Sequence, residues 1–374
     1  MCIKFENFRK SSGETSQTFI VAEVGKGFIQ TEEDQTPEVY LKNAKELARL
    51  AKENGADAVK FQTHTVEDEQ ANINVVAPHF KGADRYNWVK RNTLATPVWF
   101  WRELKKYCDE IGVVFFSTPM SRGAAQLLSE VGVDLWKVGS GDILDFVMLD
   151  YLASTQKPII ISAGMSTLEE VDLAVDFLKK RNADFILMHC VSKYPCPPEE
   201  LQLQTVNFFK QRYNVPIGFS DHSIGIDSAL AAAALGAQVI EKHFSLNRDL
   251  WGSDHKVAMT PLELAALVKG IRELEYNPSK KEEYLAKDAV KAGLGEPIKI
   301  LQEGEAQFRP FFRKTLVALR GIPAGSKITS DMIGAMRPQA HLAGLPSEKY
   351  EEVLGKTSKT DVVKYQPISP EMVA

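Results

Sequence analysis

The segment VPIGFSDHSIG, residues 215–225, contains an apolar run of strand length that ends abruptly in Ser220, Asp221 and His222. A helical stretch begins shortly after it. A carboxylate and an imidazole at the tip of a core strand need a reason, because burying a charge without a partner is costly. A βα unit of a parallel sheet supplies that reason, since such sheets collect their functional groups at the carboxyl ends of their strands.

The same sequence of apolar run, polar turn and helical stretch repeats along the chain from residue 19 to residue 244. The eight predicted strands are FIVAEVG (19–25), DAVKFQT (57–63), GVVFFST (112–118), DLWKVGS (134–140), PIIISAG (158–164), DFILMHC (184–190), VPIGFSD (215–221) and AQVIEKHF (237–244). The runs are apolar nearly throughout, which is typical of parallel strands covered on both faces. Amphipathic stretches such as residues 39–55 and 97–112 lie between them.

Eight βα units in roughly 255 residues predict an α/β fold of the (β/α)8 TIM-barrel type. A doubly wound open sheet is the alternative, which the count of eight and the lack of a Gly-rich first turn disfavour. The repeat stops near residue 275, so we expect a catalytic barrel over residues 1–275 and a linker with some helix over residues 276–310. Short β-like runs between Pro/Gly turns predict a small, mostly β domain over residues 311–374.

Composition narrows the class of protein. The chain has 374 residues, a formal net charge of −4 and four cysteines. The acidic balance argues against a nucleic-acid partner. We expect no membrane association, because no apolar run reaches the ~18 residues of a membrane span and the first residues lack the apolar core of a signal peptide. The cysteines show neither a CxxC nor a zinc spacing, so we expect reduced thiols in a cytoplasmic protein.

Polar residues recur at the ends of all eight predicted strands, where a barrel places its mouth. In strand order they are Glu23; Lys60, Gln62 and His64; Ser117 and Thr118; Lys137, Ser140 and Asp142; Ser162; His189, Ser192 and Tyr194; Ser220, Asp221 and His222; Glu241, Lys242 and His243. A single Ser or Thr at such a position is more often a helix cap. The recurrence at every strand indicates one shared site.

Two lysines carry the clearest signal. Lys60 and Lys137 lie inside apolar runs, where a buried ammonium needs an anionic partner. Glu23 could supply one and form a plain structural ion pair. With Thr118, Ser140 and Ser162 nearby, the two lysines look more like a site for a phosphate or a carboxylate.

Two histidines suggest a metal. His222 and His243 end neighbouring predicted strands, so their imidazoles could share one divalent ion, although each could equally be a hydrogen-bonded core residue. Asp221 could cap the following helix or, like Glu241, orient a histidine. Beyond the last strand, a polar loop brings residues that could reach over the mouth. They are Arg248, Asp249, Asp254 and His255.

The chain resembles the sialic acid synthase family, which comprises N-acetylneuraminate, legionaminate and pseudaminate synthases. The matching stretches, in family order, are VAEVG, AVKFQTHTVEDE, FFSTPMSR, KVGSGD, IIISAGM, HCVSKYPCP, GFSDHSIG, IEKHF and LVALRGIPAGSKITSDMIGAMRP. They cover nearly the whole chain. The last of them is similar to the family's antifreeze-like (SAF) domain.

The resemblance implies a transferase that condenses phosphoenolpyruvate with an N-acylated hexosamine, such as N-acetylmannosamine, and releases phosphate. It implies a divalent metal, Mn²⁺ or Mg²⁺, on His222 and His243. It also implies a domain-swapped homodimer in which Arg337 serves the partner's active site. By position, phosphoenolpyruvate would be held by Lys60, Thr118, Lys137, Ser140, Ser162 and Ser192. The sugar would be held, or protons handled, by Glu23, Gln62, Tyr194 and Asp254, and Asp142 and Arg337 are also expected to bind substrate. The expected catalytic residues are Glu23, Lys60, Lys137 and Asp254.

Three departures from the family pattern bear on the acceptor sugar. The first loop reads AEVGKGFIQ and lacks the usual Asn-His, Asp142 stands where sialate enzymes often have Glu, and the small domain reads RPQAHLAG in place of RPG-G. Together they favour a related nonulosonate or an unusual acceptor. Two alternatives remain: another metal-dependent, aldol-type sugar synthase on a TIM barrel, and a non-catalytic carbohydrate-binding relative.

Overall fold

The computed structural model describes residues 17–76 and 84–374, and the eight predicted strands are present. They are β1 (Phe19–Gly25), β2 (Ala58–Thr63), β3 (Val114–Pro119), β4 (Trp136–Val138), β5 (Ile159–Ser162), β6 (Phe185–Cys190), β7 (Ile217–Asp221) and β8 (Val239–His243). All neighbouring strands pair in parallel, in the order β3-β2-β1-β8-β7-β6-β5-β4. This confirms the predicted (β/α)8 barrel.

The helices surround this sheet and continue beyond it. They are α1 (Pro37–Glu53), α2 (Val66–Glu69), α3 (Arg85–Ala95), α4 (Val98–Ile111), α5 (Arg122–Val131), α6 (Phe146–Ser154), α7 (Leu168–Lys180), α8 (Thr205–Tyr213), α9 (Asp227–Ala234), α10 (Pro261–Tyr276), α11 (Lys280–Leu285), α12 (Asp288–Leu294), α13 (Glu303–Ala306) and α14 (Arg309–Phe312). Within the two described stretches of chain, no helix combines the length and the apolar character needed to span a bilayer.

Local sequence signals set several helix ends. α10 begins with Pro261 in its first turn, and Thr260 and Glu263 form a reciprocal capping box that satisfies two free backbone N–H groups. α4 ends at Gly112, whose φ of 70° is in the left-handed region that glycine adopts without steric cost. The first signal starts a helix and the second stops one, two residues before β3 begins at Val114.

Alternation along the strands decides which side chains enter the barrel. An apolar layer fills its lower interior and consists of Val21, Ala58, Phe116, Leu135, Ile160, Ile186, Met188 and Val239. Two residues further along the strands, the same alternation points a polar layer inward, made of Glu23, Lys60, Thr118, Lys137, Ser162, Cys190 and Glu241. The mouth therefore lies directly above an apolar floor.

The barrel wall has one seam. Among the described residues, β3 and β4 form no hydrogen-bonded ladder, and β4 is only three residues long. Lys314, which follows α14, bridges this seam. Its Nζ donates to the Met120 carbonyl after β3 at 2.6 Å and lies 3.0 Å from Asp142 and 2.7 Å from Asp145, both after β4. A side chain from outside the barrel thus joins the two strand ends.

The C-terminal region pairs β9 (Thr315–Ala318) with β10 (Ile333–Met336) in antiparallel fashion. It also contains α15 (Tyr350–Val353). Most of its remaining pairing consists of isolated bridges, such as those between Ile322 and Val362 and between Lys327 and Thr357. The domain is mostly β, as predicted, but its Pro- and Gly-rich turns interrupt the strands so often that regular sheet is short.

Candidate active site

A cluster of buried charges around Lys60 lies in the mouth, directly above the apolar floor. The β1–β2 register places Glu23 opposite Lys60, and Lys60 Nζ lies 2.5 Å from Glu23 Oε2. Lys60 also donates to Thr118 Oγ1 at 3.1 Å and lies 3.6 Å from Glu241 Oε1. Burial lowers the pKa of Lys60, but the two carboxylates raise it more, so its net shift is upward. Lys60 is therefore a fixed positive charge.

Lys137 reaches the same cluster from β4. It donates to Ser162 Oγ at 2.6 Å and lies 3.5 Å from Glu241 Oε1. Glu241 thus stands between the two lysines, a role that sequence reasoning missed when it treated Glu241 as an orienter of histidine. The signal was available, because alternation from Val239, in the apolar floor, points Glu241 into the barrel.

Glu23 is the group in this cluster suited to moving a proton. Burial raises its pKa from the usual value to about 7, with Lys60 opposing the rise and Glu241 adding to it. Gln62 Nε2 donates to Glu23 Oε1 at 3.0 Å and fixes the carboxyl group. A carboxyl group with a pKa near neutrality can both give and take a proton under physiological conditions.

Hydroxyl groups from the ends of β4 and β6 gather on the other side of the mouth, around Gly164, which follows β5. A Cβ at Gly164 would stand 2.5 Å from Ser140 Oγ and closer still to Ser192 Oγ, so any larger residue would displace both hydroxyls. Ser140 Oγ also lies 3.5 Å from the buried Cys190 Sγ. The structure therefore brings the predicted Ser140 and Ser192 together, with Cys190 as a neighbour that had not been predicted.

A buried glutamate from the linker holds two of these strand ends. Glu305, in α13, is fully buried, and its Oε1 accepts hydrogen bonds from Met165 N at 2.8 Å and Ser192 N at 2.6 Å. These two backbone amides follow β5 and β6. Nothing in the sequence pattern indicated this contact, because the spacing of a linker residue does not show what it packs against.

The two predicted metal ligands lie side by side at the ends of β7 and β8. The ring centroids of His222 and His243 are 5.6 Å apart, and the Tyr194 ring lies 4.0 Å from that of His222. His222 Nδ1 donates to the Val191 carbonyl at 2.8 Å. A carbonyl only accepts, so Nδ1 carries a proton, and in the neutral ring the Nε2 lone pair is available to a ligand.

The described part of the chain offers a divalent ion two neighbouring histidines and few other ligands. Within residues 17–76 and 84–374, no group of three or more His, Cys, Asp or Glu side chains is arranged to hold a metal ion. An ion on His222 and His243 would take its remaining ligands from water and substrate. Two neighbouring imidazoles, one with a fixed tautomer, are compatible with that arrangement.

Asp221 corrects two expectations. It neither caps the next helix nor contacts an imidazole through a hydrogen bond in the described structure. α9 begins only at Asp227, and Asp221 points outward, where its Oδ2 lies 2.8 Å from Lys242 Nζ. Its Oδ1 accepts from Ser223 N and Ser223 Oγ at 2.8 and 2.7 Å. Neighbouring residues of a strand point to opposite faces, so Asp221 points away from the barrel interior while His222 points into the mouth. Asp221 therefore stabilises the outer side of the sheet.

Asp142 and Arg337 meet, which the sequence did not indicate. The Arg337 guanidinium donates to Asp142 Oδ1 and, at 3.1 Å, to Glu69 Oε1, and it is 1% exposed. Lys314 Nζ forms an ion pair with the same Asp142 oxygen at 3.0 Å. Asp142 therefore faces two cations of the C-terminal region. In this single chain, Arg337 contacts its own barrel, and the expected role in a partner's active site stays a prediction.

One of the four residues expected over the mouth is placed there. Gly25, with φ of +56°, lets the chain pass close to Asp254, whose Oδ2 would be 3.6 Å from a Cβ at that position. Arg248 instead pairs with Glu263 at 2.7 Å, and His255 is buried against Ser245 Oγ at 2.6 Å. Asp249 is exposed.

Comparisons with known proteins agree with this geometry. The NeuB family model matches residues 47–283 and the SAF domain model matches residues 313–374. The chain is 31% identical to human N-acetylneuraminate-9-phosphate synthase, over 95% of this chain and 92% of that one. It is 32% identical to N,N'-diacetyllegionaminic acid synthase of Campylobacter jejuni, over 84% and 90% respectively. The crystal structure of Bacillus subtilis spore coat polysaccharide biosynthesis protein spsE matches with a TM-score of 0.76 at 29% identity, over 98% of each chain.

Proposed function

The chain belongs to the NeuB family, and from that premise we propose that it is a nonulosonic acid synthase that condenses phosphoenolpyruvate with an N-acylated hexosamine and releases phosphate. The observation that carries the proposal is the convergence of Lys60 and Lys137 on the carboxylate of Glu241, above an apolar floor. Two buried ammonium groups beside hydroxyl groups suit a small substrate that carries both a phosphate and a carboxylate.

The charge balance of the cluster supports an anionic substrate. Lys60 and Lys137 face Glu23 and Glu241, and Glu23 has a pKa of about 7. An incoming anion disfavours the ionised form of a neighbouring carboxylate, so Glu23 would take up a proton and release Lys60 toward the substrate. The neutral carboxyl group would then be a proton source during the reaction.

The proposed reaction forms one carbon–carbon bond and breaks one carbon–oxygen bond. C3 of phosphoenolpyruvate attacks the aldehyde carbon of the open-chain hexosamine, and the aldehyde oxygen takes a proton and becomes a hydroxyl. Water adds to the cationic C2, and phosphate leaves from C2 as that carbon becomes a ketone. Lys60, Lys137 and the hydroxyls of Thr118, Ser140, Ser162 and Ser192 would bind and orient the phosphate and carboxylate groups. Glu23 and Asp254 are the proposed proton carriers, with Gln62 and Tyr194 toward the sugar.

His222 and His243 would hold Mn²⁺ or Mg²⁺, which when bound supplies Lewis-acid polarisation of the aldehyde. The protein's part is to fix the imidazoles. The Val191 carbonyl sets the tautomer of His222, and the Tyr194 ring packs against both imidazoles, with its centroid 5.7 Å from that of His243.

We also propose that the protein is a homodimer that exchanges its C-terminal domains, as the family resemblance implies. In the single chain, Arg337 and Lys314 meet Asp142 of their own barrel. An exchanged pair would make the same contacts between chains.

The test is release of inorganic phosphate from phosphoenolpyruvate by the purified protein with Mn²⁺ or Mg²⁺ and a panel of N-acylated mannosamines and diacetamido-hexoses. We expect release that depends on acceptor and metal, with a nonulosonic acid as product. No acceptor-dependent release across the panel would refute the synthase. Cleavage of phosphoenolpyruvate at the oxygen–phosphorus bond, traced with ¹⁸O, would indicate a different reaction.

A further inference from the structure

Lys26 places an ammonium group at the edge of the mouth. It follows Gly25 at the end of β1, and its Nζ lies 4.6 Å from the centroid of the Trp88 ring. The described residues offer this ammonium neither a hydrogen-bond acceptor nor a carboxylate within 4.0 Å. Burial and the nearby Arg85 hold the pKa of Lys26 well below its usual value, although Glu69 and Asp254 oppose them. An anion at this position would restore the favoured charge.

A second polar atom in the same corner lacks a partner. His64 Nδ1 lies 2.6 Å from Glu69 Oε2, and a carboxylate accepts, so Nδ1 carries the proton. Burial lowers the pKa of His64 to about 4, which leaves the ring neutral. Its Nε2 is buried, and no hydrogen-bond partner for it lies within residues 17–76 and 84–374. This nitrogen is therefore a free acceptor, suited to a sugar hydroxyl.

An aromatic face joins these two groups. Trp88 stands edge-on to His64 at 5.6 Å between centroids, and Arg85 Cζ lies 4.6 Å from the same indole ring that Lys26 approaches. An indole face, a free acceptor and a cation make a corner for a polar ring that carries negative charge.

The position of this corner relates it to the acceptor sugar. Lys26 and His64 follow β1 and β2, and β1 pairs directly with β8, which carries His243. The serine cluster lies at the ends of β4 to β6, on the other side of the mouth. A hexosamine whose aldehyde lies at the histidine pair would extend over β8 and β1, so the end remote from its aldehyde would reach Trp88 and Lys26.

We propose that Lys26 binds an anionic substituent, a phosphate or a carboxylate, on the end of the acceptor hexosamine remote from the aldehyde. The acceptor class is then a charged N-acylated hexosamine. This proposal rests on the synthase function proposed above. It also gives a role to the first loop, in which Lys26 occupies a region where the resembling family usually has Asn-His.

The test compares three acceptors that differ only at carbon 6: N-acetylmannosamine, its 6-phosphate and the 6-carboxylate N-acetylmannosaminuronic acid. We expect kcat/KM to be about tenfold or more higher for at least one charged acceptor than for the neutral one. Lys26→Met should remove most of this ratio, mainly through KM, and Lys26→Arg should retain it. Lys90→Met, an exposed position on α3, is the matched control and should leave the ratio unchanged.

The outcomes separate the two proposals. Turnover of the neutral acceptor with no advantage for either charged one would overturn the role of Lys26 and leave the synthase standing. A charged-acceptor advantage that survives in Lys26→Met would overturn it as well. If none of the three sugars is turned over, calorimetric binding decides: tighter binding of a charged sugar, lost in Lys26→Met, supports the subsite, and equal binding refutes it. Comparison of the 6-phosphate with the 6-carboxylate acceptor identifies which anion the site binds.

Discussion

Lys137 and Glu241 face each other across the barrel interior, with Nζ 3.5 Å from Oε1, and both are buried. Glu241 also neighbours Lys60 at 3.6 Å. The pair therefore links the two substrate-facing cations to one carboxylate. Its strength and its role in catalysis can be separated by substitution.

Substituting Glu241→Gln should destabilise the fold, because two buried ammonium groups lose their shared counter-ion. Breaking a buried pair typically costs about 3–5 kcal/mol of the free energy of unfolding. The double variant Lys137→Met/Glu241→Gln should recover part of that loss in urea unfolding but remain inactive, since Lys137 is needed for the substrate. Recovery of phosphate release in the double variant would show that Lys137 is structural.

Glu23 predicts a pH dependence of stability. Its pKa of about 7 in the folded protein exceeds the usual 4.5, so the folded state binds the proton more tightly than the unfolded state. The free energy of unfolding contributed by this group therefore falls as pH rises from about 4.5 to 7. Urea unfolding between pH 5 and 7.5 should show this decline, and Glu23→Gln should reduce it. Glu103→Gln, on the exposed side of α4, is the control and should retain the wild-type slope.

The outward pair of Asp221 and Lys242 predicts a loss of stability without a loss of metal binding. Asp221→Asn leaves Lys242 buried and unpaired and should lower the free energy of unfolding by about 3–5 kcal/mol. Manganese affinity of the folded protein should change less than about threefold, because Asp221 makes no hydrogen bond to either imidazole in the described structure. A tenfold or greater loss of metal affinity would restore Asp221 as an orienter of His222.

Glu305 should influence phosphoenolpyruvate binding from a distance. Glu305→Ala removes the acceptor shared by Met165 N and Ser192 N, so the loops after β5 and β6 lose their common anchor. We expect KM for phosphoenolpyruvate to rise about tenfold with a smaller change in kcat, and Glu305→Gln, which keeps an oxygen acceptor, to lie between. Glu303→Ala, exposed on the same helix, should behave as wild type. Equal KM values in all three variants would reduce Glu305 to a packing residue.

Subunit complementation distinguishes the two placements of Arg337. Arg337→Ala and Lys137→Ala should each be inactive. If C-terminal domains are exchanged, co-expression of the two variants should restore about a quarter of wild-type activity, because half of the dimers would contain one intact mouth. No recovery, with mixed dimers shown by differential tags, would mean that Arg337 serves its own barrel.

Strand periodicity was enough to predict the barrel and most of its mouth. The runs around Lys60 and Lys137 place each lysine two residues above the apolar floor, and the structure confirms that both point inward. Alternation also explains why Asp221 turns away from the mouth although it neighbours His222. The outward direction of Asp221 could therefore have been predicted from the sequence.

Contacts between distant parts of the chain were beyond sequence reasoning. Glu305 hydrogen-bonds to the backbone after β5 and β6, and Arg337 forms an ion pair with Asp142. Both residues belong to segments whose own sequence shows no periodicity, so their contacts with the barrel could not be predicted. The sequence of the first loop showed that the Asn-His pair is missing. It did not show that Lys26 would lie against the Trp88 ring. Such pairings depend on how surfaces meet rather than on local propensity.

Lys314 limits how the barrel and the C-terminal domain can be separated. The ammonium that spans the ends of β3 and β4 comes from the C-terminal domain, so a chain shortened before that domain would leave Asp142 and Asp145 without their lysine. Loss of the domain would thus expose a defect in the barrel itself. A barrel transplanted without this domain would need another cation, or water, at the seam to stabilise the two carboxylates.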